Sequence, residues 1–174
     1  LRHTQKGAHF KKYSFWELLL MKLTTRGRYA VTAMLDLALY SKKDPVSLSE
    51  ISQRQGISTN YLEQLFVLLR KKQLVVSIRG AQGGYKLSRR SDLIYIDEVI
   101  DAVNESVDAT RCQGGVGCQQ GIRCLTHQLW DDLSTEIRNF FGGISLDSLS
   151  KRNYVQQTCK RQRERLLGAE LNKN

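Results

Sequence analysis

The segment from Ser47 to Lys72, SLSEISQRQGISTNYLEQLFVLLRKK, constrains the fold more than any other part of the chain. Ser47 and Glu50 have capping-box spacing, just after the chain is broken at Pro45, so a helix opens there. It is short and stops at Gly56. A second helix starts near Ser58 and runs to about Lys72, with Leu62, Leu65, Phe66 and Leu69 at i, i+3, i+4 and i+7 on one apolar stripe. Helix, a short turn with glycine, then helix is a helix-turn-helix. Upstream, RGRYAVTAMLDLALY repeats apolar residues at three- and four-residue steps on most of its faces, which predicts a largely buried helix. Downstream, Val75–Ile78 and Tyr85–Leu87 are strand-like and are separated by Gly80, Gly83 and Gly84, which predicts a hairpin. The expected fold is mainly α: a winged helix-turn-helix with a small β-hairpin wing.

Charge gives this architecture a direction. The formal net charge is +10 over 174 residues, but it is not spread evenly. Residues 21–90 carry a net +9 and residues 91–150 a net −7. A basic block followed by an acidic one points to a polyanionic partner for the first block, and nucleic acid fits a helix-turn-helix. The first residues of the second helix in such a motif meet base edges in the major groove. Asn60 and Gln64, opposite the apolar stripe, can pair with adenine, and Glu63, flanking them with Tyr61, can accept from cytosine. Arg79, at the base of the hairpin turn, is placed to enter a minor groove or touch phosphate. Lys86, Arg89 and Arg90 read as phosphate contacts.

The division expected along the chain is 1–20, 21–90, 91–142 and 143–174. Residues 1–20 match no folded element, and the expectation is an upstream extension before a native start at Met21. IYIDEVIDAVNES predicts a helix at the change of charge sign. LTHQLWDDLSTEIRNFF is amphipathic, with Leu125, Leu129, Leu133, Ile137, Phe140 and Phe141 on one stripe widened by Trp130, which predicts a long dimerisation helix. The basic tail past about residue 155 is expected to be disordered, and Cys159 in it to be incidental. No apolar run approaches the length of a bilayer span. Without an export signal the expected location is the cytoplasm, where disulfides are rare.

Three of the four cysteines lie in one stretch, RCQGGVGCQQGIRC. Cys112, Cys118 and Cys124 are each separated by five residues, mostly Gly and Gln. Such a loop is too polar for a core, and its glycines allow the chain to wrap a metal centre. His127, three residues after Cys124, supplies a fourth ligand from the same helical face. Three thiolates and an imidazole suit zinc or an iron–sulfur cluster. The wide gaps, with no Cys-x-x-Cys, favour the larger centre. A thiol redox enzyme is the weaker reading for the same lack.

The stretches KLTTRGRYAVTAMLDLAL, ISQRQGIS, YLEQLF, LLRKKQLV, RGAQGGY and ESVDATRCQGGVGCQQGIRCLTH resemble the IscR family of bacterial iron–sulfur cluster regulators, from Met21 to about Gly142. The last stretch is the most specific. The resemblance implies one 2Fe–2S cluster per subunit on Cys112, Cys118, Cys124 and His127. It implies a homodimer on pseudo-palindromic double-stranded promoter DNA, with iron–sulfur cluster assembly proteins as cluster donors. It further implies repression of cluster-assembly genes when loaded, and binding to a second class of sites when empty. The implied DNA contacts are Tyr61, Glu63, Gln64 and Arg79, with Asn60 beside them where relatives often carry Ser. A winged-helix repressor with structural zinc and a nitric-oxide-sensing cluster regulator share most of these features.

Overall fold

The computed structural model describes residues 24–41, 43–110, 118 and 122–171. The expected extension 1–20 and Cys112 lie outside the described residues. Among the described residues seven α-helices and one hairpin follow in chain order: α1 Thr25–Tyr40, α2 Leu48–Gln55, α3 Thr59–Lys71, β1 Val75–Ile78, β2 Gly84–Leu87, α4 Ile96–Ala102, α5 His127–Gly142, α6 Leu146–Ser150 and α7 Asn153–Leu171.

The helix-turn-helix forms by local chemistry. The Ser47 hydroxyl accepts the Glu50 N–H, and Glu50 accepts the Ser47 N–H, so the capping box closes α2 at its start. Gly56 ends α2 at φ 68°, a left-handed conformation that glycine adopts without strain. Ser58 then caps α3. The stripe of α3, Leu62, Leu65, Phe66 and Leu69, is buried against Ala30, Met34 and Leu37 of α1 and Ile51 of α2. Each such large side chain contributes about 1.5–3 kcal/mol when fully buried.

β1 and β2 pair antiparallel, Val75 opposite Leu87 and Ile78 opposite Gly84. The wing is clasped from outside as well. Val46, just before α2, exchanges two backbone hydrogen bonds with Tyr85, at 3.0 and 2.8 Å. The Tyr85 ring packs edge-on to Phe66, so the hairpin is fixed to the back of the recognition helix. Gly84 is part of this clasp rather than of the turn. A Cβ there would lie 2.5 Å from the Val46 carbonyl oxygen.

The core does not stop where the charge changes sign. Ile96, Val99 and Ile100 of α4 and Leu146 of α6 belong to the same buried cluster as α1 and α3. The border near residue 91 therefore marks a change of surface, not a break in packing.

The tail departs from the expected disorder. Residues 153–171 form α7. Val155 and Cys159, four apart, fall on one helical face and are buried. Polar contacts complete the seam: Gln162 meets Gln55 at 3.3 and 3.5 Å, and Arg163 lies over the Tyr40 ring. Cys159 is thus a packing residue of this seam.

Candidate nucleic-acid interface and cysteine site

α3 presents Asn60, Glu63 and Gln64 to solvent together. Tyr61 is placed between this face and α1. It is half-buried, with its ring edge-on to Tyr29 of α1 at 5.8 Å between centroids, so it braces α3 while its rim stays open. Arg79 is exposed immediately after β1. One residue the sequence reading missed joins them. Arg26, in the first turn of α1, lines a hollow of about 330 Å³ with Tyr61, Gln64 and Val67. The TRGR sequence carries its charge, but only the packing of α1 on α3 places it beside Gln64.

The cations expected to reach phosphate are held by protein acceptors. Lys86 Nζ donates to the Lys43 carbonyl at 2.6 Å. Arg89 pairs with Glu98 of α4, and Arg90 with Asp92 at 2.7 Å. Of these contacts, Arg89–Glu98 ties the end of the wing to α4, and Arg90–Asp92 is a local surface pair.

The cysteine site is built at the start of α5. The His127 N–H donates to the Cys124 carbonyl at 3.0 Å, closing the turn that brings both side chains to one end of the helix. Cys118 Sγ lies 3.1 Å from His127 Nδ1, and His127 is buried. The Cys124 thiol is held below the usual thiol range, first by the Thr126 hydroxyl 3.8 Å away and also by a hydrogen bond from Cys118. Cys118 and the buried imidazole of His127 thus meet, with Cys124 one turn before His127, and these are donor types that suit a thiophilic metal or an iron–sulfur centre. Among the described residues no three of His, Cys, Asp and Glu complete a metal cage, and Cys112 lies outside those residues.

The chain leading into the site is fastened to α5 at Ser134 and braced within itself at Asp108. The Ser134 hydroxyl of α5 accepts the Ala109 N–H at 2.8 Å and donates to the Trp130 carbonyl. Asp108 accepts both the N–H and the hydroxyl of Thr110. Burial raises the Asp108 pKa, but these hydrogen bonds from Thr110 outweigh it and hold the carboxyl below its ordinary range. On the outer face of α5, Leu129, Trp130 and Phe140 are exposed. No helix among the described residues is long and apolar enough to cross a membrane.

Comparison with known proteins agrees with this construction. The Rrf2 family, described as an iron-dependent transcriptional regulator, matches residues 23–152. The HTH-type transcriptional regulator IscR of Xenorhabdus nematophila is 61% identical over 142 residues, covering 82% of this chain and 87% of the relative. The solved structure of T. potens IscR is similar with a TM-score of 0.62 at 36% identity, covering 75% of this chain and 86% of that one. The structure of CymR, the global cysteine regulator of B. subtilis, is similar with a TM-score of 0.66 at 31% identity, covering 76% and 97%. A winged helix-turn-helix with an exposed reading face and this degree of kinship lead to one conclusion: the chain belongs to the Rrf2 family and is a DNA-binding transcription regulator, not an enzyme.

Proposed function

We propose that this regulator senses iron–sulfur cluster status through a 2Fe–2S cluster held by Cys112, Cys118, Cys124 and His127, and that it represses cluster-assembly genes when loaded. The observation that carries the reading is the approach of Cys118 Sγ to His127 Nδ1, 3.1 Å, with Cys124 beside them at the head of α5. When bound, the cluster supplies a redox-active and acid-labile centre, and mixed ligation lowers its negative charge relative to four thiolates.

The protein's own residues carry the rest. The Ala109–Ser134 hydrogen bond fastens the chain entering the site to α5, and the Thr110–Asp108 bond braces that chain. Glu105, nearer α4, binds Thr24 at the head of α1, and α1 lines the hollow shared with Gln64. A change at the cysteine site is thereby felt at the reading surface. Asn60, Tyr61, Glu63, Gln64 and Arg79 contact DNA, with Tyr61 also braced on Tyr29 of α1. The exposed apolar side chains of α5 support a homodimer, which sets two reading helices about one DNA turn apart. Iron–sulfur cluster assembly proteins serve as donors.

The test is a visible absorption spectrum of protein purified without oxygen, with iron, sulfide and zinc assayed on the same sample. The expected result is charge-transfer bands with iron and sulfide in equal amounts, and operator affinity that changes when the cluster is removed. A colourless protein with stoichiometric zinc would overturn the sensing role.

A further inference from the structure

α7 lies beyond the last residue matched by the family, Arg152, yet it is docked on the helix-turn-helix. Its seam is held at one place by the end of α2. Gln162 meets Gln55, the last residue of α2, and Arg165 donates to the Arg54 carbonyl at 3.4 Å. Only the turn Gly56–Ser58 separates Gln55 from the start of α3. The second half of α7 is therefore anchored to the end of α2 that leads, through this turn, into α3.

That half is strongly basic. Lys160, Arg161, Arg163 and Arg165 are all exposed, with Glu164 as the acid between them. Among the described residues none of the four is in an ion pair. A helix displaying four cations for solubility alone has no need of a polar seam fixing it to this turn. DNA read by the first turn of α3 brings phosphates to both flanks of that turn.

We propose that the basic face of α7 is a second DNA-contact surface, which grips phosphates beside the base-reading face of α3 without reading sequence. This rests on α3 being the reading helix, as in the proposed function. The surface raises affinity for operator and random DNA alike, and makes both more dependent on salt.

The experiment compares the full chain with a variant carrying Lys160→Gln, Arg161→Gln, Arg163→Gln and Arg165→Gln. Binding to an operator duplex and to a random duplex is measured across a salt series, with circular dichroism and thermal unfolding on the same preparations. Each phosphate contact removed flattens the plot of log affinity against log salt by about 0.9. The expected result is a flatter slope on both duplexes with the operator-to-random ratio retained. Because Arg163 stacks on Tyr40 and Arg165 bonds α2, the pair Lys160→Gln and Arg161→Gln is measured separately and must flatten the slope with unfolding unchanged. An unchanged slope in the pair and the quadruple variant overturns the proposal. So does an altered oligomeric state with unchanged slope, which would turn the face toward protein instead. Gln64→Ala separates the two readings: it must lose the operator-to-random ratio with the salt slope kept. If the ratio survives Gln64→Ala, α3 is not the reader, whatever α7 does.

Discussion

Glu105 holds Thr24 twice: its Oε2 accepts the Thr24 N–H at 3.1 Å and its Oε1 accepts the Thr24 hydroxyl. Thr24 in turn caps α1 by accepting the Arg26 N–H. Glu105 follows Asn104, which turns the chain out of α4 at φ 57°. One carboxylate thus joins the segment leading to the cysteines to the helix end beside Gln64. Glu105→Ala is expected to lower stability by about 1 kcal/mol, the scale of a lost cap. It is also expected to narrow the difference in operator affinity between cluster-loaded and cluster-free protein. Titrations of both forms check this; an undiminished difference would place the coupling elsewhere.

The side chain of Asp36 is fully buried on α1 and accepts from Arg54 Nε and Nη2, at 2.9 and 2.8 Å, and from Gln55 at 2.7 Å. Removing one partner of such a pair leaves a buried charge without compensation. Asp36→Ala is expected to cost about 3–5 kcal/mol in chemical denaturation. Asp36→Ala combined with Arg54→Met is expected to cost less than the sum of the two changes, because the stranded guanidinium goes with its partner.

Gly84→Ala tests the clasp on the wing. The new methyl would press on the Val46 carbonyl from 2.5 Å, and neither backbone can yield without breaking the Val46–Tyr85 hydrogen bonds. The expected cost is about 1–3 kcal/mol. Amide exchange should accelerate at Tyr85 and Val46 before it does in α1.

Glu50 gives a pH dependence. Burial raises its pKa, but hydrogen bonds from Ser47 and the nearby Arg54 charge outweigh that and hold the carboxyl below its ordinary value of 4.5. A carboxylate depressed on folding stabilises the fold above its unfolded pKa, and that support is lost as pH falls through the lower folded value. Glu50→Gln is therefore expected to lower the melting temperature near neutrality. The gap between variant and parent should close on acidification below about pH 4.5, the ordinary value of this carboxyl.

What the sequence disclosed, and what it hid, follows the range of the interactions. The capping box of α2, the Gly56 stop and the four-residue stripe of α3 are local patterns, and each appears where the spacing places it. The wing strands were legible for the same reason, within one residue at the start of β2. The fates of Lys86 and Arg89 were not legible, since their acceptors, Lys43 and Glu98, come from other elements. Arg26 escaped notice because its place beside Gln64 depends on the packing of α1 on α3. α7 was hidden by composition. Val155 and Cys159 are its buried apolar pair in a charged run, and the polar contacts that complete the seam are made with Gln55, distant in sequence. In the cysteine site, the local turn from Cys124 to His127 was readable, and the approach of Cys118 joins it.

The Val46–Tyr85 clasp also sets an order of assembly. Its two partners bracket the whole helix-turn-helix in sequence, so closing it fixes the ends of a loop that contains α2 and α3. Contacts of such long sequence separation are slow to form unless the intervening chain is already compact. The hairpin's own pairing is local, whereas its seat on Val46 is supported by Phe66 of α3 beneath Tyr85. A chain with a misplaced α3 lacks Phe66 beneath Tyr85, and with it one of the contacts that seat the wing.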